Sequence, residues 1–217
     1  MEGGLAFFIT FEGIEGCGKT TQMEMLKAYL EQGGAEVLCV REPGGTILGE
    51  RVRELLLNAG DEEPGPLAEL FLYEACRAQL VNLVIKPALA SGKTVLCDRF
   101  IDSTVAYQGY GRGLDVKAVY AANELATNGL RPDLTLILDC AVETGLKRAW
   151  ARIEAATDEN REDRFEKESL LFHNRVRAGY IEIAKKEPER VQVIDATVEI
   201  ASIHRAICDI ITKKVLS

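Results

Sequence analysis

A short glycine-rich stretch near the amino terminus limits the fold of this chain more than any other feature. Residues 13–20 read GIEGCGKT and match the phosphate-loop pattern G-x-x-x-x-G-K-[ST] at every specified position. An apolar run of strand length, residues 5–11, precedes the loop, and a helical pattern, residues 21–30, follows it. This order of strand, loop and helix predicts a phosphate-binding site at the start of the helix.

Each residue type in the loop has a physical task. Glycine lets backbone N–H groups approach phosphate oxygens, and the start of the helix adds the positive end of its dipole. Lys19 is expected to reach the β- and γ-phosphates, and the Thr20 hydroxyl to ligate Mg²⁺. The residues predicted to hold the nucleotide are Gly13, Ile14, Glu15, Gly16, Cys17, Gly18, Lys19, Thr20 and Thr21.

Length, charge and cysteine content narrow the class of protein. The 217 residues suffice for one substantial core, so we expect a single domain over residues 1–217. Lysine and arginine total 26 and aspartate and glutamate total 34, and the net charge of −8 argues against a nucleic-acid or anionic-membrane surface. Six dispersed cysteines indicate neither a zinc site nor a disulfide framework. The first apolar run is too short for a signal peptide, so we expect a cytoplasmic protein.

Strand-like and helix-like segments alternate along the chain. Apolar runs of strand length lie at 5–11, 36–40, 94–97, 134–139 and 191–195, with helical patterns between them. This alternation predicts an α/β fold with a doubly wound, mostly parallel, five-stranded sheet. Ligands of such sheets bind at the carboxyl ends of the strands.

Two of these strands end in an acidic residue that could hold a metal ion. Asp98 and Asp139 both follow apolar strand residues, so the pattern alone leaves both open. A carboxylate at this edge of the sheet can hold Mg²⁺ opposite the phosphate loop. The adjoining Arg99 favours Asp98, because that arginine can contact a phosphoryl group from the same strand end. Thr20 and Asp98 are therefore the predicted metal ligands.

The helical pattern at 67–89 has more apolar surface than one packed face needs. A stripe that includes Leu67 and Phe71 is expected to pack on the sheet. Leu72 and Leu80 make a second side apolar, and a partner subunit could cover that side. The sequence therefore suggests an oligomer.

Two sets of polar side chains have roles that spacing alone leaves open. Tyr73 and Arg77 are neighbours on one helix face, and such a pair is more often a surface cation–π contact than a ligand site. Thr104, Tyr107 and Gln108 have hydrogen-bonding groups at helical spacing and suit either capping or ligand contact.

A charged segment with little apolar content separates two helical patterns near residues 150–164. Arg148 and Arg152 lie at its entrance, and Arg161 and Arg164 lie near its exit. Such a segment is either a solvated loop or a lid that brings arginines over a nucleotide.

Taken together, five motifs resemble the thymidylate kinase (dTMP kinase) family over nearly the whole chain. They read FEGIEGCGKTT at 11–21, REPGGT at 41–46, DRF at 98–100, AYQG at 106–109 and DRFE at 163–166. The resemblance implies a phosphate-loop nucleoside monophosphate kinase fold with a lid, ATP and dTMP as substrates, Mg²⁺ as cofactor, and a homodimer.

The resemblance also implies where dTMP binds. Glu15 matches the acid that binds the deoxyribose 3′-hydroxyl, and Glu42 and Pro43 match a Glu-Pro turn whose peptide bond can be cis. Tyr73 stands where many members have a phenylalanine that stacks on thymine, and Arg77 matches the arginine that bonds the base.

Further matches concern the phosphate and the sugar. Arg99 resembles the arginine that contacts the dTMP phosphate and reaches toward the donor. Thr104, Tyr107 and Gln108 resemble base and sugar contacts, with Tyr107 where a ribose 2′-hydroxyl is disfavoured.

The family divides by the location of its catalytic arginine. Because Gly16 and Cys17 stand where some members have a basic residue in the phosphate loop, this chain resembles the bacterial type, whose arginines lie in the lid. Arg152 is the first candidate, with Arg148 or Arg164 behind it. The predicted catalytic set is Lys19, Asp98, Arg99 and Arg152.

Two other functions compete with this interpretation. The nearer one is a phosphate-loop kinase for another monophosphate or for a nucleoside. The other is a nucleotide switch such as a GTPase or a partitioning ATPase. The chain has no N-K-x-D base-reading motif, and a switch would have no use for acceptor-pocket residues.

Overall fold

The computed structural model describes residues 6–57, 63–155 and 164–214. Within these ranges five parallel strands form one sheet in the order β2-β3-β1-β4-β5. The strands are β1 (Phe8–Glu12), β2 (Val37–Arg41), β3 (Thr94–Asp98), β4 (Leu134–Asp139) and β5 (Val191–Asp195). The predicted five-stranded parallel α/β fold is confirmed.

Helices connect consecutive strands and cover both faces of the sheet. They are α1 (Lys19–Gln32), α2 (Ile47–Leu57), α3 (Pro66–Leu80), α4 (Lys86–Ala90), α5 (Ile101–Thr104), α6 (Val116–Thr127), α7 (Val142–Ala155), α8 (Leu170–Lys186) and α9 (Ile200–Lys214). Two π-helical segments, Val81–Ile85 between α3 and α4 and Val105–Gly111 after α5, continue the helices without a break.

The central strand β1 places the phosphate loop in the middle of the sheet edge. All five of its residues are buried. Phe8 packs in a cluster with α3 and α4, while Ile9 and Phe11 belong to the larger cluster that includes α1 and α9. Strands buried on both faces are expected in a doubly wound sheet, and their packing fixes the position of the loop that follows.

The exposed and buried sides of α3 differ from the expectation. Leu67 and Phe71, expected to face the sheet, are 55% and 59% exposed, and Leu80, expected on the outer side, is fully buried. The reason is that the inner face has polar residues, since Glu74 and Arg77 are buried there. The apolar pattern was therefore wrong for Leu67, Phe71 and Leu80. It was right for Leu70, Val81 and Ile85, which belong to the same predicted stripe and are buried.

The segment after the predicted lid also differs from the expectation. A helix was expected from Phe165, but residues 165–168 form turns and a bend, and α8 begins at Leu170. Ser169 caps the helix, because its hydroxyl accepts a hydrogen bond from the Phe172 N–H at 3.2 Å. Among the described helices, none has the length and apolar content needed to cross a membrane.

Candidate active site

The loop between β1 and α1 has the backbone conformation that phosphate binding requires. Gly13, Gly16 and Gly18 have φ angles of 129°, 69° and 98°, a region that residues with a side chain rarely adopt. A Cβ at Gly16 would also clash with the Gly145 carbonyl. No side chain caps the first turn of α1, so the backbone N–H groups at its start are available to an anion.

Lys19 lies over this loop. Its ammonium group donates to the carbonyl oxygens of Gly13 at 3.3 Å and Ile14 at 3.1 Å. These contacts hold a positive charge at the loop, where a phosphate chain in contact with the α1 N terminus would meet it.

Thr20 and Asp98 lie together beside the loop. The Thr20 hydroxyl donates to Asp98 Oδ2 at 3.4 Å, and Asp98 Oδ1 is buried without a hydrogen-bond partner. A hydroxyl and an unpaired carboxylate oxygen are suitable ligands for Mg²⁺, which usually completes its shell with water and phosphate oxygens. The described residues contain no cluster of three or more His, Cys, Asp or Glu that would hold a metal by themselves.

The structure separates the two acidic candidates that the sequence left open. Asp98 lines the main cavity, whereas Asp139 is outside its lining. Both Asp139 oxygens accept hydrogen bonds from Arg177, at 2.6 and 2.8 Å. Asp139 is thus already paired with an arginine, and Asp98 is the better candidate for a metal ligand.

One cavity of about 1060 Å³ brings most of the predicted site residues together. Those that line it are Glu15, Gly16, Gly18, Lys19, Thr20, Thr21, Glu42, Pro43, Tyr73, Arg77, Asp98, Arg99, Thr104, Tyr107, Gln108, Arg148 and Arg152. Gly13, Ile14 and Cys17 belong to the loop but not to the lining. The cavity therefore extends from the phosphate loop to the pocket where the resemblance places dTMP.

The carboxylate of Glu15, which lines the cavity, contacts three polar side chains. Its Oε1 accepts hydrogen bonds from Arg99 Nη2 at 3.1 Å and from the Tyr107 hydroxyl, and its Oε2 lies 3.3 Å from His173 Nδ1. Burial by itself raises the pKa of Glu15, but His173, Arg99 and Lys19 lower it to about 2. Glu15 is therefore ionised at neutral pH and can accept a hydrogen bond from a sugar hydroxyl.

Arg99 connects the phosphate loop to this pocket. Its backbone has a φ of 70°, unusual for a non-glycine residue, and its Nη1 donates to the Gly13 carbonyl at 3.0 Å. The guanidinium also lies 4.9 Å from the centre of the Tyr107 ring. It is thus held between the loop and the predicted sugar contact.

Glu12 supports the site from below the surface, and the sequence did not predict this role. It is fully buried and accepts hydrogen bonds from the Phe100 N–H at 2.8 Å, the Ser103 hydroxyl at 2.6 Å and the Tyr180 hydroxyl at 2.8 Å. Burial and the nearby Asp102 raise its pKa to about 7. These bonds fix the turn from which Arg99 projects. The available signal was an acid at the end of an apolar strand.

All the N–H groups of the Arg77 guanidinium donate hydrogen bonds within the protein. Its five N–H groups donate to Glu42, twice, at 2.9 and 2.6 Å, to Glu74 at 2.8 Å, to Asn123 at 2.7 Å and to the Phe100 carbonyl at 3.1 Å. The Glu42–Pro43 peptide bond is cis, as the resemblance suggested. Because every donor of Arg77 has an acceptor, a hydrogen bond to a base requires sharing or releasing one of them.

Two of the arginines near the predicted lid line the cavity, and a third is buried against other elements. Arg148 and Arg152 line the cavity, and Arg152 has a 66% exposed side chain whose ion pair with Glu166 is long, at 3.7 Å. Arg164 does not fit the expected role: it is buried and donates to Glu69 at 2.6 Å and to the Leu56 carbonyl at 3.0 Å. Arg161 lies outside the described residues.

Replacing Glu15 with glutamine is expected to change how stability depends on pH. Because the folded-state pKa is about 2 instead of 4.5, the ionised carboxylate stabilises the folded protein above pH 4.5, and this stabilisation is lost as pH falls toward 2. The shift corresponds to about 3 kcal/mol. Urea unfolding of both proteins at neutral pH and between these two pKa values measures it. The difference between them should shrink as pH falls, and a constant difference would contradict this assignment.

The sequence of this chain is similar to those of proteins whose family the cavity residues resemble. The sequence model of the family described as Thymidylate kinase matches residues 11–207. The thymidylate kinase of Geotalea daltonii is 56% identical over 188 residues, which cover 87% of this chain and 88% of that protein. The thymidylate kinase of Trichlorobacter lovleyi is 53% identical and covers 95% of this chain and 97% of its own.

A solved structure gives the same result at lower identity. The crystal structure of thymidylate kinase from Ehrlichia chaffeensis superposes with a TM-score of 0.74 at 38% sequence identity. The match covers 95% of this chain and 98% of that chain. Sequence and fold are therefore similar to the same group of proteins over nearly their full lengths.

Proposed function

This chain belongs to the thymidylate kinase family, and from that premise we propose that it transfers the γ-phosphoryl group of ATP to dTMP, giving dTDP and ADP, in the cytoplasm. The observation that carries the proposal is the shared cavity. Its phosphate loop and its Glu15–Arg99–Tyr107 group lie on one continuous surface with Tyr73. A donor and an acceptor bound at the two ends would meet at Arg99.

In the proposed reaction the protein mainly aligns the two nucleotides and stabilises charge. Phosphoryl transfer needs little covalent participation from the enzyme. The α1 N terminus and Lys19 would hold the donor phosphates, while Arg99, fixed through the Gly13 carbonyl, would hold the acceptor phosphate. Glu15 would accept a hydrogen bond from the deoxyribose 3′-hydroxyl.

We further propose Mg²⁺ as the metal, held by Thr20 and Asp98. The unpaired Oδ1 of Asp98 and the adjacent hydroxyl support this choice. When bound, such an ion neutralises charge on the donor phosphates.

A substrate panel tests the proposal. Purified protein is assayed for ADP formation with ATP, Mg²⁺ and, in turn, dTMP, dUMP, dCMP, dGMP and thymidine. We expect dTMP to be the best acceptor by kcat/KM. A preference for another monophosphate or for thymidine would favour the nearer alternative kinase. Slow ATP hydrolysis that no acceptor accelerates would favour a nucleotide switch.

We also propose a homodimer formed through the outer face of α3. Leu67 and Phe71 on this face are each more than half exposed, as is Leu83 on the π-helical continuation of α3. Large apolar side chains left exposed near one another are typical of a protein interface.

Phe71→Glu is expected to dissociate this dimer. A charge buried at the centre of an apolar interface has no partner, and a loss of at least about 10²-fold in association is expected. Sedimentation equilibrium of wild type should give twice the chain mass, and the variant should shift toward the monomer. Leu171→Glu is the matched control, since Leu171 is 66% exposed on α8. A monomeric wild type would contradict the proposal.

A further inference from the structure

Glu69 accepts hydrogen bonds at the back of the acceptor pocket from three side chains that are distant in sequence. It lies in the first turn of α3 and is fully buried. Its Oε1 accepts from Gln108 Nε2 at 2.8 Å and from Arg112 Nε at 3.1 Å. Its Oε2 accepts from Arg112 Nη2 at 3.1 Å and from Arg164 Nη2 at 2.6 Å. Four donors therefore fix one carboxylate.

This arrangement determines which way the Gln108 amide points. A carboxylate that is paired with two guanidinium groups can only accept hydrogen bonds, so the side of Gln108 that faces Glu69 must be its NH₂ group. The amide oxygen Oε1 then lies on the other edge of the planar group. Gln108 lines the cavity together with Tyr73, Arg77 and Thr104.

We propose that Glu69 is a positioning residue for base specificity: it holds Gln108 so that the amide oxygen, and not the NH₂ group, faces the pyrimidine. This inference rests on the proposed function. An oxygen at that place accepts a hydrogen bond from the N3–H of thymine or uracil. Cytosine has no hydrogen on N3. The lone pair of its N3 would therefore face a lone pair of the same amide oxygen, and the two repel each other.

The two arginines around Glu69 make the arrangement rigid. Arg112 has a second carboxylate partner in Glu168, and Arg164 also bonds the Leu56 carbonyl at 3.0 Å. Each is thus fixed at two points, so Glu69 cannot rotate away without leaving a buried guanidinium underpaired. A preorganised acceptor of this kind costs no reordering when the nucleotide binds.

Glu69→Gln tests the proposal, because a neutral amide at residue 69 can donate as well as accept and so lets Gln108 rotate. The measurement is kcat/KM for dTMP, dUMP and dCMP. We expect the dTMP to dCMP ratio to fall by about tenfold or more, partly through a gain for dCMP, whose N3 can accept from a reversed amide. The dTMP to dUMP ratio should stay constant, since both bases carry N3–H.

A double-mutant cycle tests whether Glu69 affects base specificity through Gln108. In a Gln108→Met background, Glu69→Gln should leave the dTMP to dCMP ratio unchanged, because the amide through which it acts is gone. Glu187→Gln is the matched control. Glu187 also accepts from two arginines, Arg131 and Arg190, each at 2.9 Å, but it lies before β5 at the opposite edge of the sheet.

The outcomes separate this inference from the proposed function. A wild type without dTMP kinase activity overturns the function. An active, dTMP-selective wild type whose Glu69→Gln variant loses activity equally toward all three nucleotides overturns the role of Glu69 alone. If Glu69→Gln does not fold, Glu69→Asp keeps the charge but withdraws the carboxylate from Gln108, and the same fall in the dTMP to dCMP ratio is required of it.

Discussion

Lys19→Ala is expected to lower kcat by about 10²- to 10³-fold, the effect of removing one charged or hydrogen-bonding group that stabilises a transition state. The Lys19 ammonium is held over the phosphate loop by the carbonyl oxygens of Gly13 and Ile14. Alanine removes the positive charge nearest to the predicted γ-phosphate. The affinity for dTMP should change little, because the hydrogen bonds of Lys19 all go to the phosphate loop, at Gly13, Ile14 and Cys17.

The measurements for Lys19 are steady-state kcat and dTMP binding by calorimetry. Lys27→Ala, two turns further along α1 and outside the cavity lining, is the control for loss of a lysine from the same helix. Lys19→Arg keeps the charge in a different shape and should recover only part of the activity. A Lys19→Ala enzyme that retains turnover within a few-fold of wild type would mean that this loop does not hold the transferring phosphate.

The phosphate loop could be predicted because its geometry is encoded locally. Positive φ at Gly13, Gly16 and Gly18 and the helix start at Lys19 follow from residues close together in sequence. The same holds for the strands, whose apolar runs were predicted to within a few residues. Motif spacing is a reliable guide where the contacts that matter are between near neighbours.

The side-chain networks could not be predicted because their partners are far apart in sequence. Gln108 and Glu69 are 39 residues apart, and Arg164 and Glu69 are 95 residues apart. Nothing in the sequence near Arg164 distinguishes an arginine that anchors α3 from one that reaches the nucleotide. The expectation for Arg164 failed for that reason.

The prediction of the packed face of α3 was wrong at Leu67 and Phe71 for a related reason. Amphipathic patterns assume that the inner face of a helix is apolar. On α3 the inner face lines a ligand cavity and includes the buried Glu69, Glu74 and Arg77, while Phe71 remains exposed. Charged residues that neutralise each other inside the protein look like a solvent-facing stripe in the sequence. Such a reversal is a mark of a functional helix.

Arg152 is the residue whose loss should most clearly separate catalysis from binding. It extends from the end of α7 into the cavity with a 66% exposed side chain, and its ion pair with Glu166 is long, at 3.7 Å. An exposed arginine at this place can approach the transferring phosphoryl group without first breaking a strong contact. Arg148 lines the same cavity one turn earlier on α7.

Arg152→Ala is therefore expected to lower kcat by about 10³-fold, within the range for arginines that stabilise phosphoryl transfer, with little change in the KM for dTMP. Binding is spared because the contacts predicted for dTMP lie on other elements. Lys147→Ala, on the exposed side of α7, is the control. If Arg152→Ala stays near wild-type turnover while Arg148→Ala loses it, the catalytic charge comes from Arg148. Arg164→Ala should instead lower stability, because it leaves Glu69 with fewer donors.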